Sequence, residues 1–247
     1  MRSKKEVSLS SSPQESTVKA RRRGAFSRFE LILFLLSCFL IISSFLIFDR
    51  ANYLTLTASL VGVTSLILTA KGNPLGQLLM IVFSVLYGII SLTFSYYGEM
   101  MTYLGMTAPM AVVSLISWLK NPYDGHRSEV RVGHLSRREI PLMLAAAAVV
   151  TLGFYFILDA LDTANMLPST ISVTTSFLAA YLTFRRSEFF SLAYAANDVI
   201  LIILWSLASI EDPTYIFVTV CFCAFLFNDI YAYISWSKMK HRQAAHA

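Results

Sequence analysis

Two aspartates stand where a lipid environment should exclude them. Asp198 and Asp229 each lie inside a long apolar run, and each follows an asparagine, as Asn197-Asp198 and Asn228-Asp229. A carboxylate near the centre of a bilayer costs at least ~2.5 kcal/mol, so it persists where it faces a polar cavity or a partner. Neither run carries a lysine or arginine to serve as that partner. The pair therefore either takes up protons or faces a cationic or hydroxyl-rich ligand. Phe190, Tyr194 and Asp198 are spaced i, i+4, i+8, which places them on one helix face, and Trp205 continues that face approximately. A flat aromatic ligand can stack there, and a cationic one gains ~0.5–2 kcal/mol from the π face. Earlier in the chain, Asn73, Gln77 and Tyr87 are polar groups in or beside another apolar run, with Gln77 one turn from Asn73. They suit hydrogen bonds to ligand hydroxyls or a carboxamide, and equally bonds between helices.

The elements that must position these groups are membrane helices. The 247 residues are 56% apolar and 14% charged, against about 25% charged in an ordinary soluble domain. Apolar runs of ~20 residues are long enough to cross a hydrocarbon core of ~30 Å. Eight such runs are expected: Phe29–Phe48, Tyr53–Ala70, Leu75–Tyr96, Met100–Leu119, Ile140–Leu158, Ser169–Phe184, Phe189–Leu207 and Tyr215–Ser235. Lys71-Gly72-Asn73-Pro74 and Glu211-Asp212-Pro213 break the pattern, because glycine and proline punctuate helices. Pro109 and Gly105 allow a kink within the fourth run. The first run is too long for the apolar core of a signal peptide, so it reads as a retained helix behind a basic cytoplasmic tail.

Charge alternation fixes the orientation. With the N-terminus in the cytoplasm, nineteen of the twenty Lys and Arg residues fall on the inner side, and the outer loops keep only Arg50. Those outer loops hold Asp49, Glu99, Asp159, Asp162, Glu211 and Asp212 instead. This is the positive-inside pattern, and it supports an even number of spans with both termini cytoplasmic. The net charge of +5 sits in tails and short loops, so it is not a nucleic-acid footprint. Cys38, Cys221 and Cys223 lie in apolar runs and read as packing residues; no metal and no cofactor are implied.

An internal repeat organises the runs. Ser117-Trp118-Leu119-Lys120 and Ser235-Trp236-Ser237-Lys238 both close a run, 118 residues apart, and at the same offset Tyr97 meets Tyr215. Lys71 and Arg185-Arg186 occupy corresponding inner turns. Runs two to four thus look like a parallel copy of runs six to eight, with run five restoring the orientation, a plan seen in transporters whose substrate sits between the repeats. The divisions expected are a tail at 1–28, an added helix at 29–48, a first triplet at 49–119, a loop and linker helix at 120–168, a second triplet at 169–236 and a tail at 237–247.

At these residues the chain resembles the PnuC family of nicotinamide riboside transporters. The likeness runs through Asn73, Tyr87, Tyr97-Gly98-Glu99, Pro109 and Trp118, then Asp162, Ser176-Phe177-Leu178, Leu182, Arg185-Arg186, Asp198 and Trp236. The Tyr-Gly-Glu element with its downstream Trp is the more specific part. Ser191 and Tyr194 stand where the family commonly carries two Trp, and Ala180 where a Gln is usual. The resemblance implies a SWEET-like fold of three, one and three helices. It also implies facilitated uptake of nicotinamide riboside across the plasma membrane, with the substrate trapped by a cytoplasmic kinase. Asp198 and Asp229 would take the charge or the hydroxyls, Phe190 and Tyr194 would stack, and Asn73, Gln77 and Asn197 would pair with the amide, with Tyr87 beside them.

The expectation is an all-α bundle of eight spans that moves a small vitamin, with the lipid bilayer as its solvent and room for a homo-oligomer. A proton-coupled carrier, or a carrier of another vitamin or nucleoside such as thiamine, is the nearest alternative. A receptor would need an extramembrane module larger than the tail and loop provide. An intramembrane aspartyl protease would need its two acids ~3 Å apart, and the Gly-x-Gly-Asp element is missing before Asp229. No GxxxxGK[ST] loop is present, so the chain is not itself an ATP-driven pump, and no enzymatic activity is expected.

Overall fold

The structure is a computed structural model that describes residues 26–93, 96–163 and 165–245. Most of the basic tail, residues 1–25, lies outside the described residues. Helix α1 (Arg28–Phe48) opens on a capping box: the Ser27 hydroxyl accepts from the Glu30 N–H at 3.1 Å, and the Glu30 carboxylate accepts from the Ser27 N–H at 2.6 Å. Then come α2 (Tyr53–Ala70), α3 (Pro74–Thr93), the short α4 (Tyr97–Thr102), a π-helical turn (Tyr103–Thr107) and α5 (Ala108–Lys120). A hairpin of β1 (Pro122–Tyr123) and β2 (His126–Val130) follows, then α6 (Glu139–Ala160), α7 (Met166–Phe184), α8 (Phe190–Glu211), a 3-10 turn (Pro213–Tyr215) and α9 (Ile216–Ala245).

Among the described residues, seven stretches are long and apolar enough to cross a membrane: α1, α2, α3, α4 through α5, α6, α8, and the 3-10 turn with α9. The eighth expected span, α7, has the length at 19 residues but is rich in Ser and Thr. It hides part of that polarity by turning hydroxyls onto its own backbone, as Thr170 does to the Met166 carbonyl and Thr183 to the Ala179 carbonyl.

Among the boundaries that differ from the sequence expectation, three bear on the site and its support. The third run ends as helix at Thr93, and the fourth begins at Tyr97, so Glu99 belongs to α4 and not to a loop. It is buried, because its neighbour Gly98 packs against Leu158 and Thr163 so closely that a Cβ there would sit 2.8–2.9 Å from their side chains. The last helix does not stop at Ser235. It runs on to Ala245, and 30 residues at 1.5 Å each span about 45 Å, more than a bilayer core needs. The surplus has a use, described below.

Six helices close into a ring. α2 packs on α3, α3 on α5, α5 on α7, α7 on α8, α8 on α9, and α9 back on α2. Outside the ring, α1 lies against α9 and α2, and α6 against α7 and α4. Both outer helices turn large apolar side chains outward, among them Ile32 and Leu35 on α1 and Leu142 and Val149 on α6, as lipid-facing surfaces require.

At one end of the ring the hairpin staples the helices together. Asp124 and Gly125 both take positive φ, at 51° and 71°, which suits a two-residue hairpin turn. The Val130 N–H donates to the Gly72 carbonyl in the α2–α3 turn, and the Gly133 N–H to the Arg186 carbonyl in the α7–α8 turn, both at 2.9 Å. Gln243, near the end of α9, accepts from the Val132 N–H at 2.8 Å and donates to the Val130 carbonyl and to Glu129 at 3.0 Å. Ion pairs join Arg242 to Glu129 and Lys240 to Glu188. The extension of α9 is therefore a strut that holds the hairpin against both inner turns.

Candidate functional site

A small cavity of about 30 Å³ lies inside the ring. Its apolar wall is Met80 and Phe83 of α3, Tyr103 of the π turn, and Phe222 and Phe225 of α9. Gly62 of α2 lies there because a Cβ would come within 2.6 Å of the Phe225 ring. Its polar wall is Ser176 of α7, Tyr194, Asn197 and Asp198 of α8, and Asp229 of α9.

The two aspartates meet in this cavity. Asp198 and Asp229 are 4% and 2% exposed, and their carboxyls lie within hydrogen-bonding range of each other. Asp198 keeps one oxygen, Oδ2, without a partner among the described residues. Asn197 is oriented from behind: its Oδ1 accepts from Thr175 at 2.8 Å and from Ser176 at 3.0 Å. With that oxygen occupied, the amide NH2 is the group Asn197 has left to offer the cavity. The site thus presents an acid acceptor, an amide donor, the Tyr194 ring and a cluster of aromatic faces. Phe83 meets Phe225 edge-on at 5.6 Å and Tyr103 at 5.9 Å.

An aromatic seal lies at each end of the cavity. Toward the hairpin, Trp118 and Trp236 pack at 5.3 Å, and Phe190 meets Trp236 edge-on at 4.9 Å. The Trp118 indole N–H donates to the Thr183 carbonyl at the end of α7, and the Trp236 N–H to the Thr69 carbonyl at the end of α2, both at 2.9 Å. Each indole adds a donor to a helix-end carbonyl that the following turn also bonds, through the Arg186 N–H at Thr183 and the Gly72 N–H at Thr69. Toward the other end, the Trp205 N–H donates to the Tyr87 hydroxyl at 2.8 Å, and Trp205 also packs on Tyr96 at 4.7 Å and Tyr215 at 5.5 Å. Tyr96 lies in the α3–α4 connection, outside the spans. Burial, then Tyr215, Glu211 and Asp212, push its hydroxyl up to about 12, so it remains a neutral partner. Tyr87 and Trp205 are 118 residues apart, the same offset that relates Trp118 to Trp236.

Of the residues singled out from sequence, the cavity brings together Tyr194, Asn197, Asp198 and Asp229. Phe190 and Tyr87 belong to the seals. Asn73 caps the start of α3, accepting from the Leu75 N–H at 3.0 Å, and Gln77 is buried beside the Thr69 hydroxyl at 3.5 Å. The apolar wall residues were not singled out from sequence. Phe83 and Tyr87 share one face of α3 at i, i+4, and Phe222, Phe225 and Asp229 one face of α9 at i, i+3, i+7, so the same spacing argument applied to those runs would have found them.

The comparisons with known proteins agree with this architecture. Residues 52–238 match the family model described as nicotinamide mononucleotide transporter. The nicotinamide riboside transporter PnuC of Neisseria mucosa is 26% identical over 226 residues, covering 90% of this chain and 85% of that protein. The PnuC of Haemophilus influenzae is 22% identical over 196 residues, covering 77% and 82%. A crystal structure of the vitamin B3 transporter PnuC superposes with a TM-score of 0.78 at 26% identity, over 89% of this chain and 95% of that one. With a ring of membrane helices around a polar, aromatic cavity, and a family match over most of its length, the chain is a multi-pass membrane transporter of the nicotinamide mononucleotide transporter family, the PnuC family that its motifs resemble.

Proposed function

We propose that the chain carries nicotinamide riboside across the plasma membrane by facilitated diffusion, and that a cytoplasmic kinase traps the riboside by phosphorylation. The observation that carries this reading is the cavity. Nicotinamide riboside has a pyridinium charge, a flat ring, a carboxamide and ribose hydroxyls. The Asp198–Asp229 pair suits the charge or the hydroxyls, the Asn197 amide donor suits the carboxamide oxygen, and Tyr194 with Phe83, Phe222 and Phe225 suits the ring. The named substrates of the relatives support the same class. A close vitamin relative with a cationic ring, such as thiamine, meets the same description.

The transport step in this reading is a rocking of two triplets, α2 to α5 against α7 to α9. Two observations support it. Positions 118 residues apart meet as pairs at both ends of the cavity, and the tryptophan of each triplet bonds the first helix of the other. The hairpin end faces the cytoplasm, in keeping with the basic residues gathered there.

The test is uptake by the full chain in proteoliposomes against a panel of labelled vitamins. Wild type is expected to take up nicotinamide riboside. Asp198→Asn is expected to weaken uptake of the cation about tenfold, the size of one lost charge interaction, and a neutral analogue far less. Equal loss for both would make Asp198 structural. The contact between Asp198 and Asp229 also favours a second reading, a proton-coupled carrier. Accumulation that requires an enclosed kinase and survives collapse of the proton gradient supports the first reading; accumulation lost with the gradient supports the second.

A further inference from the structure

Among the described residues, Glu30, Glu129 and Glu188 are buried but ion-paired, and the buried acid outside the cavity lining with no ion pair is Glu99. It is 2% exposed, and its Oε1 accepts from the Ser172 hydroxyl of α7 at 3.4 Å, a long bond. Its other oxygen, Oε2, has no hydrogen-bond partner among the described residues, and neither has the Thr163 hydroxyl, whose methyl would nearly touch a Cβ on the adjacent Gly98. An unsatisfied buried carboxylate oxygen is expensive, so its retention asks for a ligand or a role.

The surroundings indicate the role. Tyr103, one helical turn on from Glu99, lines the cavity together with Tyr194, Asp198 and Asp229. Tyr87, the hydroxyl partner of Trp205 in the far seal, packs on the Tyr103 ring at 4.4 Å. Glu99 therefore sits beside the far seal, one tyrosine away from the aspartate pair. Tyr103 is also the first residue of the π turn, a distortion that concentrates at functional sites because it re-aims side chains at some cost in hydrogen bonding.

We propose that Glu99, with Ser172 and Thr163, forms a second recognition subsite for the positively charged ring of the transported molecule, reached from the central cavity past Tyr103 when the far seal opens. The proposal rests on the cationic-substrate reading above. It adds a carboxylate that takes the charge between the far face and the aspartate pair, so the cation is not left unpaired in a low-dielectric path.

The experiment measures initial uptake by the full chain in proteoliposomes, with nicotinamide riboside and with its uncharged dihydro form. Where the dihydro form is not carried, its inhibition constant replaces its KM. Glu99→Gln keeps shape and removes charge, and is expected to raise the KM of the cation about tenfold while moving that of the dihydro form less than about twofold. Ser172→Ala, which keeps the charge but frees the carboxylate from its hydroxyl donor, is expected to shift the cation alone, by a smaller factor. If Glu99→Gln does not fold, the alanine variant decides by the same criterion. Equal shifts for both forms, or none, overturn the subsite. Wild-type liposomes that handle neither form overturn the parent reading and the subsite with it, so the two failures are distinct.

Discussion

The side chain whose orientation matters most at the cavity wall is Asn197. Two hydroxyls on α7 hold its oxygen, so the amide donor is fixed before any ligand arrives, and little entropy is left to lose on binding. Asn197→Asp replaces that donor with an acceptor and sets a third carboxyl beside Asp198. The expected outcome is a loss of substrate affinity of at least tenfold, read by titration calorimetry, with the melting temperature changed far less. Thr175→Val with Ser176→Ala should reproduce part of the loss by releasing the oxygen from behind. The aspartates were legible in sequence because a charge in lipid is costly wherever the fold puts it. Glu99 was not, since Tyr97-Gly98-Glu99 beside a break between apolar runs looks like any outer loop. Its burial depends on the close approach of Leu158 and Thr163 to Gly98, a contact with residues some sixty positions away.

At the scale of elements, Gln243 makes three bonds that join α9 to the hairpin. Gln243→Ala leaves the Val132 N–H and the Val130 carbonyl buried without partners, and each such group costs about 1–3 kcal/mol. A fall in stability of about 2–4 kcal/mol is expected, read as a lower melting temperature of the purified protein. Substitution of the exposed Lys238 should change it little. The end of α2 and the start of α3 were readable because Lys71-Gly72-Asn73-Pro74 breaks the helical pattern there. The last nine residues of α9 were read as a tail because span logic ends where the apolar run ends. A helical signal was present: Trp236, Met239 and Gln243 recur at i, i+3, i+7 and are all buried. Asp124-Gly125 is likewise a strong hairpin dipeptide, but the strands beside it are too short to show alternation. The π turn at Tyr103–Thr107 has no compositional mark, since one extra residue per turn leaves the apolar content unchanged.

At the scale of the molecule, charge alternation and apolar run length are additive along the chain, which is why eight helices were countable before any packing was known. Closure of six of them into a ring was not, because a periodic pattern says which face is buried and not against what. The ring places the three tryptophans of the chain, Trp118, Trp205 and Trp236, at the two seals and nowhere else, each fully shielded from solvent. The protein thereby carries its own optical gauge. Opening toward the hairpin wets two indoles, and opening toward the far side wets one. Ultraviolet emission of the unlabelled carrier should shift to longer wavelength when either way opens, and Trp205→Phe should silence the signal from one direction while sparing the other. A gauge of that kind would reveal which door a vitamin leaves ajar.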